Sequence, residues 1–184
     1  MTIALSNTPA LETERLILRA PQADDWPQWR AMTRSERSRF IRAADMTDGL
    51  AWRAMGHIIG HWVLRGWGNF VITRKGDNTA LGMTGPWFPQ GWPEPEIGWS
   101  IWSAEVEGTG IAFEAAQAAR DFAFGTLGWQ TAVSYIVAEN TRSIALAERL
   151  GARLDPTADH PKPAQKKDTD ETVLVYRHPK PEAA

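Results

Sequence analysis

The chain has 184 residues, 43% of them hydrophobic, with a formal net charge of −2 and no cysteine. That length and apolar content suit one globular domain with a substantial core. The charge argues against a nucleic-acid partner, which needs concentrated Lys and Arg, and the missing thiols exclude disulfides, thiolate metal sites and a cysteine nucleophile. Residues 1–10 lack the basic-then-apolar pattern of a signal peptide. No apolar run approaches the roughly 18 residues that span a bilayer. A soluble, cytoplasmic protein with no membrane partner is expected.

In chain order, Leu11 to Arg19 reads as a first strand, broken by Ala20-Pro21-Gln22. Asp24 or Asp25 should cap a short helix through Trp26, Trp29 and Met32, with Pro27 tolerated in its first turn. Residues 34–48 are charged and show no clear period. From Leu50 to Arg65, Met55, Ile58, Ile59, Trp62 and Val63 share one helical face. Asn69 to Lys75 and Thr79 to Thr84 read as a hairpin around Gly76-Asp77-Asn78. Residues 85–95 hold Pro86, Pro89, Pro93 and Pro95 beside Trp87, Phe88 and Trp92, and read as a loop. Strands are expected at Glu96 to Trp102, Thr131 to Val137, Ala152 to Leu154 and Thr172 to Arg177, and helices at 110–124 and Arg142 to Leu150, the last closed by Gly151. Residues 155–171 read as a long mobile loop, and 1–10 and 179–184 as flexible ends around a core of about 11–178.

The junction between the strand at Glu96 and the helix at 110 carries Gly108-Thr109-Gly110. Two glycines there permit a tight turn with exposed N–H groups, and the helix dipole adds positive potential, so the turn suits an anion such as a phosphate. Ten tryptophans against two tyrosines admit two readings. They fill core positions, or some of them, in the group Trp67, Trp87, Trp92, Trp99 and Trp102, wall a cleft. His57 and His61 stand one helical turn apart without a third ligand or a Glu between them, and read as packing or surface residues; no metal is expected.

Three segments together resemble the GNAT N-acetyltransferase superfamily and its RimJ/RimL-like branch. They are Leu11-Glu12-Thr13-Glu14-Arg15-Leu16-Ile17-Leu18-Arg19, then Glu96-Ile97-Gly98-Trp99-Ser100-Ile101 with Gly108-Thr109-Gly110-Ile111-Ala112-Phe113-Glu114-Ala115, and Glu139-Asn140-Thr141-Arg142-Ser143 with Glu148-Arg149-Leu150-Gly151. The resemblance covers about residues 11–154. It implies a GNAT-like α/β fold, a mixed and mostly antiparallel sheet of six to seven strands flanked by about four helices, in one acetyltransferase domain over 1–184. It further implies acetyl-CoA as co-substrate. The pyrophosphate would rest on the main chain of Glu107, Gly108, Thr109, Gly110, Ile111 and Ala112, and the pantetheine arm would run beside Ser100, Ile101 and Trp102. Asn140 is either an N-cap, a contact to the pantetheine or thioester, or both. Glu105 stands where this superfamily usually has Gln or Arg. With Glu107 it should face water or pair with a base, because a carboxylate near a diphosphate is unfavourable.

The implied reaction is direct acetyl transfer to an amine, which must be neutral to attack. A lysine-type amine of pKa about 10.4 costs roughly 4–5 kcal/mol to deprotonate at pH 7, and an α-amine near 8 only about 1.4. Glu96 is the candidate base; its alternative is an ordinary strand-edge carboxylate. Many members donate the thiolate's proton from a Tyr seven residues after the Asn, but Ala147 stands there. Ser143 is the candidate replacement, against a hydroxyl bonded to its own backbone, and Tyr135 the reserve. The acceptor, a small molecule or a peptide N-terminus, is left open, as is a homodimer. A non-catalytic acyl-CoA sensor on the same fold is the alternative.

Overall fold

The computed structural model describes residues 4–41, 46–161 and 172–181. Within them eight strands form one sheet in the order β1-β2-β3-β4-β5-β6-β8-β7: β1 Leu11–Glu12, β2 Leu16–Arg19, β3 Phe70–Arg74, β4 Gly82–Trp87, β5 Glu96–Ile101, β6 Val133–Val137, β7 Arg153–Leu154 and β8 Val173–Arg177. Among the described residues four α-helices accompany it: α1 Trp26–Thr33, α2 Asp48–Arg65, α3 Ile111–Gly125 and α4 Thr141–Arg149. All neighbouring strands are antiparallel except β5 and β6. This is the expected mixed, mostly antiparallel fold with at least one strand more than anticipated. No described helix is long and apolar enough to cross a membrane.

The core lies on both faces of the sheet because side chains alternate along each strand. Leu16, Leu18, Phe70 and Ile72 meet Ile111, Ala115, Ala119 and Phe122 of α3. Val71 and Met83 face the other way, onto Trp29 and Met32 of α1 and Met55 and Ile58 of α2. The fully buried alanines of α3, Ala115, Ala116, Ala119 and Ala123, let its backbone lie close to the sheet, which sets the height of the glycine turn before it. Helix α2 starts one turn's fraction earlier than expected, with Thr47 as its N-cap, and Val63 of its predicted apolar face is 67% exposed.

Two expectations need correction, and one open segment gains a structure. The predicted first strand is a tight hairpin, with Leu11 paired to Leu18 and the Thr13 N–H donating to the Leu16 carbonyl. The predicted loop 85–95 begins only after Trp87, since Pro86 pairs with Ile97 inside β4. Strand β3 pairs with β4 no further than Thr84, so Pro86 has a neighbour on one side only, where a missing N–H is tolerated. The segment without a clear period gives a short 3-10 turn, Glu36–Ser38, capped by Ser35. Expectations for 1–3, 42–45, 162–171 and 182–184 lie outside the described residues; 155–161 and 179–181 are turns and coil, with Lys180 donating to Gln130.

Candidate functional site

Strands β5 and β6 touch only at their starts. Glu96 pairs with Val133, and the Ser134 hydroxyl donates to the Ile97 carbonyl at 2.6 Å. Beyond that point β6 continues in register with β8, and the two strands splay apart. Trp102 donates its N–H to Leu81, back toward β4. By strand alternation the peptide groups of Ile101 therefore face the open side, where Arg37 reaches the Ile101 carbonyl at 3.4 Å. The opening is a cleft of about 960 Å³, walled by Trp99, Ser100 and Ile101 on one side and by Asn140, Ser143 and Leu146 on the other. Arg37, Phe40 and Ile41 close a third side.

The glycine turn stands at the head of this cleft. Gly108 and Gly110 have φ of 73° and 83°, values that side-chain-bearing residues rarely adopt. A Cβ at Gly108 would meet nothing within 4 Å, so open space lies beside the turn. The N–H groups of Glu107 and Thr109 are turned to Ala104 and Val106. No described backbone acceptor takes those of Gly108 and Gly110, and the first N–H groups of α3, at Ile111 and Ala112, have no intrahelical partner. Four free donors at a helix N-terminus fit a phosphate group. The side chains of Trp102 and Ile111 lie in the core, and the Thr109 hydroxyl donates to Val106.

Both acids near the turn are accommodated as expected. Glu105 is exposed on the 3-10 turn Ala104–Val106. Glu107 bridges two arginines, Arg37 at 2.7 Å and Arg142 at 3.0 Å. Desolvation pushes its carboxyl up, but these arginines outweigh that and the net shift is downward. A second ionic cluster clamps the turn from below. Glu114 of α3 accepts from the Thr13 hydroxyl at 2.6 Å and from the Arg15 N–H and Nε at 2.9 and 2.6 Å, and Arg15 also donates to the Thr109 carbonyl. The first and second of the sequence segments singled out above thus meet across about a hundred residues of chain.

A smaller recess of about 120 Å³ adjoins the cleft and shares Trp99, Asn140, Ser143, Phe40 and Ile41 with it. Glu96 and Tyr135 line it. Part of Glu96's surface opens onto the recess, yet burial of the carboxyl dominates and pushes it up to about 7, against hydrogen bonds from the Trp92 indole at 2.7 Å and the Tyr135 N–H. Burial likewise pushes the Tyr135 phenol up to about 12, against a hydrogen bond with the Glu94 backbone. Ser143 accepts from the Trp99 indole N–H at 3.1 Å. Asn140 caps α4 through its Oδ1, which accepts from the Ser143 N–H, leaving its amide NH₂ for the cleft. Ala147 is fully buried against Ile136, Ala152 and Tyr176, so no acid stands there.

The tryptophans divide between the two readings. Trp102 is core, Trp99 walls the cleft, and Trp92 holds Glu96. Trp87 stacks on His61 at 4.5 Å and meets His57 edge-on. His61 is a packing residue: Nδ1 bonds the Trp67 carbonyl and Nε2 accepts from the Phe88 N–H, so it is held neutral, and burial lowers its pKa. Among the described residues no cluster of three or more histidines and carboxylates is placed to hold a metal ion. Sequence reasoning missed Arg37, Phe40 and Ile41, Arg142, and Arg149, which lies over the Phe113 ring at 4.1 Å. The charged character of 34–48 hinted at Arg37, and Arg142 and Arg149 stood in the third of the segments singled out above with no role assigned to them.

The chain matches the Acetyltransferase (GNAT) domain over residues 15–153. An acetyltransferase from Agrobacterium tumefaciens str. C58 is 34% identical and superposes with a TM-score of 0.82, covering 97% of this chain and 98% of that one. A Bordetella pertussis protein assigned to the GNAT acetyltransferases is 27% identical, with a TM-score of 0.72 over 93% of this chain and 99% of that one. RimL, a ribosomal L7/L12 alpha-N-protein acetyltransferase solved with coenzyme A, is 18% identical with a TM-score of 0.71 over 92% and 97%, a likeness of fold. The chain belongs to the GNAT family of N-acetyltransferases.

Proposed function

We propose that this chain, acting as one domain of the RimJ/RimL-like branch, transfers acetyl from acetyl-CoA directly to a primary amine of a small molecule or a peptide N-terminus. The observation that carries the reading is a buried carboxyl poised near neutrality, Glu96, in a recess opening onto the splayed edge of β5. The free N–H groups of Gly108, Gly110, Ile111 and Ala112 would hold the pyrophosphate, and the peptide groups of Ile101 would bond the pantetheine arm as a strand would. Acetyl-CoA supplies an activated acyl group with a thiolate leaving group. Glu96, half ionised near pH 7 and increasingly so above it, takes the proton that the attacking amine must lose. Ser143 sits where the cleft meets the recess, and its hydroxyl proton, with no acceptor among the described residues, is available to the departing sulfur. Asn140 offers its NH₂ to the same region.

Glu105 in solvent and Glu107 between two arginines leave the turn open to an anion, which supports the catalytic reading over a non-catalytic sensor. Thiol release from acetyl-CoA should be measured with an alkylamine, spermidine, lysine, an aminoglycoside and a peptide with a free N-terminus. Amine-dependent release is expected for at least one. Calorimetric binding of coenzyme A without release for any of them would favour the sensor.

A further inference from the structure

We propose that Trp99 is a positioning residue for proton transfer, its indole N–H holding the Ser143 oxygen and steadying the charge that develops there as the serine gives up its proton. The inference rests on Ser143 as the thiolate's proton donor. Three observations carry it. The indole Nε1 lies 3.1 Å from Ser143 Oγ, so the indole N–H occupies a lone pair of that oxygen. The hydroxyl proton is thereby left for another acceptor, and both residues face the cleft and the recess. Ser143 is held from its other end, because its N–H donates to Asn140 Oδ1. Trp99 is itself fixed, packed against the buried groups around Ile97 and Phe124 and around Ile136 and Ala147, with the His178 ring edge-on at 6.4 Å.

In the step, the carbon–sulfur bond breaks and its electron pair stays on sulfur. Sulfur takes the Ser143 hydroxyl proton, the serine oxygen regains one from water, and the hydroxide so formed is neutralised by the proton that Glu96 took from the amine and releases to solvent. While that oxygen carries negative charge, the indole hydrogen bond becomes charge-assisted and stronger, in a geometry already set before the reaction. The role asks for an aromatic wall that also carries a donor: phenylalanine has none, and leucine or valine would lose the wall as well.

The test uses the full chain with Trp99→Phe, Ser143→Ala and the double variant, measuring thiol release from acetyl-CoA with the fastest amine of the panel above. Coenzyme A binding by calorimetry serves as the check that the site is folded. Each single variant should lower kcat by about ten- to a hundredfold, the worth of a hydrogen bond to a charged group, with little change in KM for acetyl-CoA. The double variant should be no slower than the slower single one. Ser143→Ala with the wild-type kcat would remove the donor and the inference with it. A slow Ser143→Ala beside a Trp99→Phe of wild-type kcat, or losses that multiply in the double variant, would overturn the role of Trp99 alone.

Discussion

At Glu96 the same burial that suits the carboxyl to neutral-pH chemistry also costs stability. With its pKa raised to about 7, the ionised fraction falls tenfold per pH unit below that value, so kcat/KM expressed per neutral amine should fall likewise. Glu96→Gln should lose that limb and be about a hundredfold slower or more at pH 8. The stability sign runs opposite. A raised carboxyl contributes stability that is complete below the unfolded value near 4.3 and is lost as pH rises through about 7. Glu96→Gln should therefore be more stable than wild type at pH 8, by up to about 3 kcal/mol, and no more stable at pH 4. Urea unfolding at both pH values checks this; a variant with unchanged pH dependence in rate and stability would refute the assignment. Glu96 was legible as a position at the head of a strand. Its acidity was not, because Trp92, Tyr135 and the recess that set it come from a proline-rich loop and another strand.

Elements were legible where one period dominates. Helix α3, β3 and β5 lie close to where alternation and the alanine-rich run put them. The hairpin at Leu11 to Arg19 was hidden because its turn has neither Gly nor Pro; Thr13 and Arg15 are held instead by Glu114. That carboxylate joins the β1–β2 turn to the first turn of α3, and its own acidity is raised on balance, desolvation being outweighed by Thr13 and Arg15. Glu114→Ala leaves a hydroxyl, a backbone N–H and a guanidinium without their acceptor. A loss of about 1–3 kcal/mol is expected, together with weaker coenzyme A binding, because the glycine turn loses its anchor through Arg15 and the Thr109 carbonyl. Differential scanning calorimetry and titration calorimetry measure the two. Intact coenzyme A affinity in a destabilised variant would confine the clamp to folding.

Across the whole molecule, the crotch between β5 and β6 is closed by a neutral histidine. His178 is 3% exposed, bonds Ser134 Oγ at 2.9 Å and has its pKa lowered by burial to about 4. A depressed histidine contributes stability fully above the unfolded value near 6.5, and that contribution is lost as pH falls toward 4. His61, lowered for the same reason, acts in the same direction. Acid should thus destabilise the fold by about 3 kcal/mol through His178 over that window, and His178→Gln should show a shallower decline in urea unfolding between pH 7 and pH 4.5; an identical decline would refute it. His61 was legible in the chain as a packing or surface residue, but the role of His178 was not, since it depends on partners brought together by the sheet. The carboxylate of Glu107 has a whole-molecule consequence as well, because it ties together the segment before α2, the glycine turn and α4. It acts as a built-in counter-ion: the two arginines already hold an anion before any diphosphate arrives. Binding then exchanges one anion for another instead of stripping dissolved ions from exposed cations, and its salt dependence should be shallow. Glu107→Gln should bind coenzyme A more tightly at low ionic strength and lose that advantage steeply as salt is added, whereas parallel salt curves for the two proteins would show that Glu107 never leaves its arginines.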